Sequence, residues 1–315
     1  MNKQSLLSEL HMIFGNDGVL INEPMSRHTT FRIGGPAAFM VKPESMEQMQ
    51  KTVTMLHDNE VPFYIVGNGS NLLVSDAGFS GVIIQLGERF SKYEFLHEVE
   101  SSAIDKNNTV YVKVQAGAML GKLANALASY SLTGFEFAAG IPGTIGGAVL
   151  MNAGAYGGEI KDILVKATLM DKNGEILEFT GSQMEFGYRT SIAAKKDYIV
   201  LEAVFALKTS SKEAVLEKMK ELAAQRREKQ PLEYPSAGST FKRPEGYFAG
   251  KLIADAGLKG FRVGGAQVSE KHAGFVINIG NATAEDVIAL TDAVRDKVLA
   301  LYGVTLELEV KKLGF

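Results

Sequence analysis

The chain has 315 residues, 46% of them hydrophobic and 22% charged, with a net charge of −3. This is a globular composition long enough for two or three domains, and its charge balance argues against a nucleic-acid binder working through a general basic surface, while leaving a local basic pocket open. With no cysteine, disulfides, thiolate-held metal centres and a cysteine nucleophile are excluded.

Residues 3–14 place Leu6, Leu7, Leu10 and Ile13 at helical spacing, which predicts a short opening helix. The first ten residues are too polar for a secretory signal, and no apolar run approaches the ~20 residues of a membrane span. A reducing cytoplasm is compatible with the absence of cysteine. Thr29-Thr30-Phe31-Arg32-Ile33-Gly34-Gly35-Pro36 is turn-rich, and Arg32 there suits a phosphate or carboxylate, or equally the solvent. A strand over 38–41 precedes a helix over 44–59, with Met46, Met49, Val53 and Leu56 inward. An apolar strand then breaks into Gly67-Asn68-Gly69-Ser70-Asn71, and a second apolar run follows. Such a loop has several free N–H groups and short polar side chains, so it suits a diphosphate or a plain turn.

Strands are expected over 82–86, 92–97 and 109–114, with a turn at 105–108, and a helix over 120–132. Seven glycines then fall within residues 140–158, where about 7% glycine would be ordinary. The run reads as poor helix and poor strand, a loop whose bared amides suit anions. Its Gly-x-x-Gly-x-x-Gly-Gly spacing is neither a dinucleotide-binding βαβ fingerprint nor a P-loop. Composition alone leaves a second reading, a glycine-rich turn that only packs helix on sheet.

A hairpin over 163–179 turns at Asn173-Gly174, and a strand over 198–207 follows. A helix over 213–229 is expected to turn Val215, Leu216, Met219, Leu222 and Ala223 to one face and to stop at Pro231. In Pro235-Ser236-Ala237-Gly238-Ser239-Thr240-Phe241-Lys242-Arg243-Pro244, an exposed hydroxyl beside two cations suits a proton donor for an anionic substrate, or an ordinary loop serine. Residues 246–256 read as helix and 266–268 and 274–279 as short strands. Thr283 to Asp286 resembles a capping box, opening a helix with Val287, Leu290, Val294, Val298 and Leu301 inward and Gly303 at its end. The last strand is expected over 305–313, with Glu307 and Glu309 on one face. The five histidines have no metal-ligand spacing, so no metal is expected.

Four motifs in order resemble the UDP-N-acetylenolpyruvoylglucosamine reductase family of flavoenzymes. They are Val66-Gly67-Asn68-Gly69-Ser70-Asn71-Leu72; Gly140-Ile141-Pro142-Gly143-Thr144-Ile145-Gly146-Gly147-Ala148 through Asn152-Ala153-Gly154-Ala155-Tyr156-Gly157; Gly187-Tyr188-Arg189-Thr190-Ser191; and Ala237-Gly238-Ser239-Thr240-Phe241-Lys242-Arg243-Pro244. Glu307-Leu308-Glu309-Val310 completes the pattern. The first two alone resemble the wider vanillyl-alcohol-oxidase-like FAD superfamily; the others narrow it to this family. Leu308 stands where many relatives have proline, and Arg243 where one branch has asparagine. The chain lacks an extra tyrosine-bearing loop and resembles the shorter branch.

The resemblance implies an α+β fold. An N-terminal helical segment (1–22) would precede a two-lobed FAD-binding domain of mixed β-sheets with helices (23–208). A smaller α+β substrate domain (209–315) would follow, with the last strand left open between this domain and the flavin lobe. The resemblance also implies FAD and NADPH as cofactors. Hydride would pass to C3 of UDP-N-acetylglucosamine enolpyruvate and a proton to C2, giving UDP-N-acetylmuramate for peptidoglycan, and so for cell shape and division. Arg189, Ser239 and Glu309 fall on the family's catalytic residues, Ser239 as proton donor. The cofactor set would be Arg32, Gly67, Asn68, Gly69, Ser70, Asn71, Leu72, Gly140, Pro142, Gly143, Thr144, Gly146, Gly147, Ala148, Asn152, Gly154 and Ala155. Tyr188, Lys242 and Arg243 would bind substrate. No metal, nucleic acid, membrane or protein partner is implied. The rival readings are an FAD-dependent alcohol or sugar oxidase of the same superfamily and a non-catalytic nucleotide-binding scaffold.

Overall fold

The computed structural model describes residues 1–96 and 108–315. His97 and most of the turn expected at 105–108 lie outside the described residues. The chain divides into two compact units: residues 1–20, 40–67 and 82–225, and residues 21–39, 68–81 and 226–315. Among the described residues no helix is long and apolar enough to cross a membrane.

The first unit opens with α1 (Lys3–Phe14), followed by α2 (Met46–Asp58), whose first turn is capped by Ser45 accepting from the Gln48 amide at 3.2 Å. Met49, Val53 and Leu56 are fully buried, as their helical spacing predicts. The strand Phe63–Val66 pairs in parallel with 82–85 and runs straight into Gly67. The main sheet is antiparallel, in the order Ile176–Thr180, Leu164–Met170, Ile199–Thr209, Thr109–Gln115, Tyr93–Leu96. Ile199–Thr209 is central and almost continuously buried, which explains its apolar run.

Helix α3 (Leu120–Ser129) lays Leu120, Leu123, Ala124 and Leu127 on this sheet. It ends before the expected 132, because Ser131 takes φ 59 and Leu132 pairs with Thr209. The fully buried Phe205 packs edge-on against Phe135, ring centres 5.6 Å apart; burying a side chain of that size contributes about 1.5–3 kcal/mol. The glycine-rich stretch is not all loop: Ile145–Leu150 forms α4. Ile145, Ala148 and Val149 are buried there, and this burial outweighs the low helix propensity of Gly146 and Gly147, about 1 kcal/mol each. Helices α5 (Ile192–Lys196) and α6 (Lys212–Lys229) follow, and the last unit boundary falls inside α6. Val215 and Leu222 are buried in α6, whereas Leu216 is exposed rather than inward.

The second unit is built on an antiparallel sheet ordered Ser236–Ser239, Phe275–Asn278, Ala266–Val268, Arg262–Val263. Helices α7 (Ala249–Asp255) and α8 (Ala284–Tyr302) belong to its core, through Leu252, Ile253, Val287, Leu290 and Val294. The capping box at Thr283 and Asp286 is present. Asp76 adds a second cap, accepting from the Ala284 and Glu285 amides at 2.9 and 3.1 Å. Gly303 ends α8 at φ 67, as expected, but Leu301 is exposed. The terminal strand is shorter than 305–313: Lys311–Leu313 pairs in parallel with Leu72–Val74, and before it Leu308 makes an isolated antiparallel bridge to Phe241. Leu306, Glu309 and Val310 are all buried, so strict two-face alternation does not hold there.

Candidate active site

In the first unit, the two glycine motifs meet. A Cβ on Gly67 would collide with the Thr144 hydroxyl, so only glycine lets the end of the Phe63–Val66 strand lie against the start of α4. The glycine-rich segment is stitched to the chain before α3. Leu120 N donates to Gly143 O at 3.0 Å, Ile145 N to Ala118 O at 2.9 Å and Gly146 N to Ala116 O at 2.8 Å. Its amides are therefore only partly bared. Gly140, Pro142 and Gly147 are exposed, Gly143 and Gly146 half-buried, and Ala148 buried. Beyond α4, Gly154 and Ala155 pair with Glu159 and Gly158. Tyr156 and Gly157 turn this small hairpin at φ 53 and 89, the left-handed pair that a tight hairpin needs.

Asn152 is 1% exposed. Its Nδ2 donates to Glu159 Oε2 at 2.9 Å and to the Gly187 carbonyl at 3.1 Å, and its Oδ1 accepts from the Lys161 amide at 3.0 Å. Gly187 and Thr190 face each other as an antiparallel bridge, with Tyr188 and Arg189 at the tip. Tyr188 is exposed, and the Arg189 guanidinium lies 5.3 Å from its ring centre. The Glu159 carboxyl is held below the ordinary carboxylate range, first by its hydrogen bond from Lys161, then by Asn152 and by the Arg189 charge.

In the second unit, Gly69 takes φ 59 and packs against the His28 carbonyl, where a Cβ would collide. The Thr30 amide donates to Gly69 O at 3.3 Å, and the Thr30 hydroxyl donates to Ser236 O at 2.7 Å. Arg32 is exposed at φ 56 on the same 28–33 segment. Asn68 and Ser70 are half-buried, and Leu72 turns its side chain into the core. Asn71 Nδ2 donates to Glu309 O at 3.1 Å.

Ser239 and Glu309 come from distant parts of the sequence and lie on neighbouring segments. The pairing of Ser236–Ser239 with Phe275–Asn278 slips between Ser236 and Ser239, where Gly238 takes φ 75. Beyond that irregularity, Glu309 N donates to Thr240 O at 2.8 Å and Lys242 N to Glu307 O at 2.8 Å. The buried Thr240 hydroxyl accepts from Val276 N at 2.9 Å. Lys242 pairs with Glu307 at 2.9 Å and lowers the Glu307 pKa. Arg243 lies over the Phe248 ring at 4.0 Å. Sequence reasoning missed Glu159, Thr240 and Thr30. Thr240 sits inside a quoted motif and Glu159 opens a capping box with Asp162, but no spacing marks Thr30, whose partner Ser236 is set by folding.

The glycine segment fits a dinucleotide cofactor: Gly147 is exposed, and a Cβ there would meet nothing nearer than the Thr144 hydroxyl at 3.9 Å. Residues 37–180 match the model of a family described as FAD binding domain. The chain therefore carries the FAD-binding domain of a flavoprotein. Residues 230–313 match the UDP-N-acetylenolpyruvoylglucosamine reductase C-terminal domain. It is 49% identical to the reductase of that name from Alkaliphilus oremlandii, over 100% of this chain and 99% of the relative. It is 50% identical to that from Lachnoclostridium phytofermentans, over 98% and 97%. The crystal structure of UDP-N-acetylenolpyruvylglucosamine reductase from Thermus caldophilus superposes with a TM-score of 0.77 at 34% identity, over 94% of this chain and 98% of that one. This chain belongs to the UDP-N-acetylenolpyruvoylglucosamine reductase family.

Proposed function

We propose that this chain uses NADPH to reduce the enolpyruvyl ether of UDP-N-acetylglucosamine to UDP-N-acetylmuramate, with Ser239 as the proton donor. The observation that carries this reading is the Glu309–Thr240 backbone bond, which keeps a hydroxyl and a carboxyl on adjoining segments within a chain of this family. FAD, when bound, supplies hydride transfer from NADPH to C3 of the enolpyruvyl group.

The remaining chemistry falls to side chains. Hydride addition at C3 leaves negative charge on C2 and the substrate carboxylate. Arg189 stabilises that charge with a planar, permanently charged donor. Ser239 delivers the proton to C2; a hydroxyl is a weak acid, so it works only while the developing carbanion is a strong base. Glu309 orients the donors around it. Lys242 and Arg243 attract the anionic substrate, Arg243 held by its contact with Phe248, and Tyr188 offers an exposed ring beside Arg189. Among the proposed cofactor residues, Gly67 and Thr144 supply the close contact of the two glycine motifs. The expected division of labour, flavin at 23–208 and substrate at 209–315, is part of this proposal. So is a cytoplasmic setting, which suits a chain without cysteine.

The test is the visible spectrum of the purified protein under argon. A two-band flavin spectrum that bleaches with NADPH and returns on adding the enolpyruvyl substrate supports the reading. A flavin that returns with oxygen but not with this substrate makes the protein an oxidase and defeats it.

A further inference from the structure

The turn that carries Arg189 is held from outside itself. Arg189 sits at φ 54, a conformation that a residue with a side chain keeps only where its surroundings over-determine it. Two anchors do so, both from the segment that ends α4. Asn152 donates to the Gly187 carbonyl on one side of the turn, at 3.1 Å. On the other side, the fully buried Ser191 donates its hydroxyl to the Leu150 carbonyl at 2.7 Å. Both N–H donors of Asn152 are used within the protein, on Gly187 and on Glu159. Glu159 is itself fixed by Lys161 Nζ at 2.8 Å, and its carboxyl feels the Arg189 charge.

Resting on the reading of Arg189 as the catalytic arginine, we infer that Asn152 and Glu159 are a positioning pair for it. Asn152 fixes the turn through Gly187, and Glu159 fixes Asn152 by accepting its other N–H. This assigns Asn152 a different task from the cofactor contact that the motif resemblance implies. It also makes the glycine-rich segment serve twice, once towards the cofactor and once as the base on which the arginine turn is built.

The test uses full-length protein loaded with FAD and reads three quantities: FAD retained through gel filtration, the rate of flavin bleaching by NADPH, and the rate of flavin reoxidation by the enolpyruvyl substrate. Asn152→Ala should retain FAD and bleach at close to the native rate. Its reoxidation by substrate should slow by about 10–100-fold, because a displacement near 1 Å can cost about 10² in rate. Arg189→Ala should slow the same step, and the double variant should be no slower than Arg189→Ala alone. Glu159→Ala removes the acceptor of Asn152's second N–H and should slow reoxidation by about 10-fold.

Loss of FAD from a folded Asn152→Ala protein would return Asn152 to the cofactor site and overturn the inference, as would additive losses in the double variant. Should Asn152→Ala fail to fold, Glu159→Ala decides: native reoxidation overturns the pair. Arg189→Ala with native reoxidation sinks the reading of Arg189 itself. A slow Arg189→Ala beside native Asn152→Ala and Glu159→Ala sinks only the positioning role.

Discussion

Glu309 donates its backbone N–H to the Thr240 carbonyl at 2.8 Å, and the Thr240 amide in turn donates to Gly274 O at 2.8 Å. A serine at 239 and a glutamate at 309 are thereby tied to one local scaffold in which the buried Thr240 hydroxyl is also satisfied. The proton donor of the proposed reaction stands on backbone hydrogen bonding rather than on a free loop.

Replacing Ser239 by alanine should therefore leave flavin bleaching by NADPH intact while product formation falls by about 10²–10⁴-fold, since only the proton-transfer step loses its acid. Stopped-flow measurement of the two half-reactions checks this. Equal loss in both would make Ser239 structural.

Arg189→Lys should lower turnover by about 10²–10³-fold, comparable to removing one donor from a developing oxyanion. A point charge on a flexible stem does not reproduce the planar fork. Steady-state kinetics with the enolpyruvyl substrate measure it, and near-native turnover removes Arg189 from the mechanism.

Gly67→Ala should cost about 1–3 kcal/mol by overpacking, because the new methyl meets the Thr144 hydroxyl. Adding Thr144→Ala should recover about half of that loss. Chemical denaturation of the four proteins in the cycle reports the coupling, and simple additivity would show that the two residues do not share the contact.

Asp286 accepts from the Gly265 and Thr283 amides at 2.9 and 3.1 Å, and these bonds lower its pKa below 3.8, that from Gly265 most. A carboxyl depressed in the folded state contributes stability above its unfolded pKa and loses it as pH falls through the folded value. Asp286→Ala should cost about 0.5–1 kcal/mol at pH 7, the lower part of the capping range because the carboxyl is largely solvated, and the gap to the native protein should close in strong acid, below its lowered pKa. Urea unfolding at pH 7 and in strong acid tests it; a gap independent of pH would assign the effect to packing.

Much of the architecture was legible because local rules and burial agree. The period of Met49, Val53 and Leu56 marked one helix, and Thr283 with Asp286 marked the start of another. The misreadings have a common cause. Gly146 and Gly147 counted against a helix at 145–150, yet Ile145, Ala148 and Val149 are buried and a first-turn amide, on Gly146, bonds to Ala116. At 305–313, alternation suggested one long strand, but cross-strand partners are present only for Lys311–Leu313 and at an isolated bridge from Leu308 to Phe241. Glu159 was not picked out: its capping-box spacing to Asp162 opens only the single turn Ile160–Asp162, and its bond from Asn152 depends on the hairpin between them.

The sequence by itself determined the family, through ordered motifs that demand particular residue types, and determined most helices, through the period of their apolar faces. Tertiary structure alone decided that Gly67 lies against Thr144, that Glu309 is stitched to Thr240, and that Asn152 holds the turn bearing Arg189. Each of these is a contact between residues far apart in the chain or on separate turns. Spacing carries no record of such contacts, because they form only when burial brings the backbone amides and carbonyls out of water and obliges them to find partners.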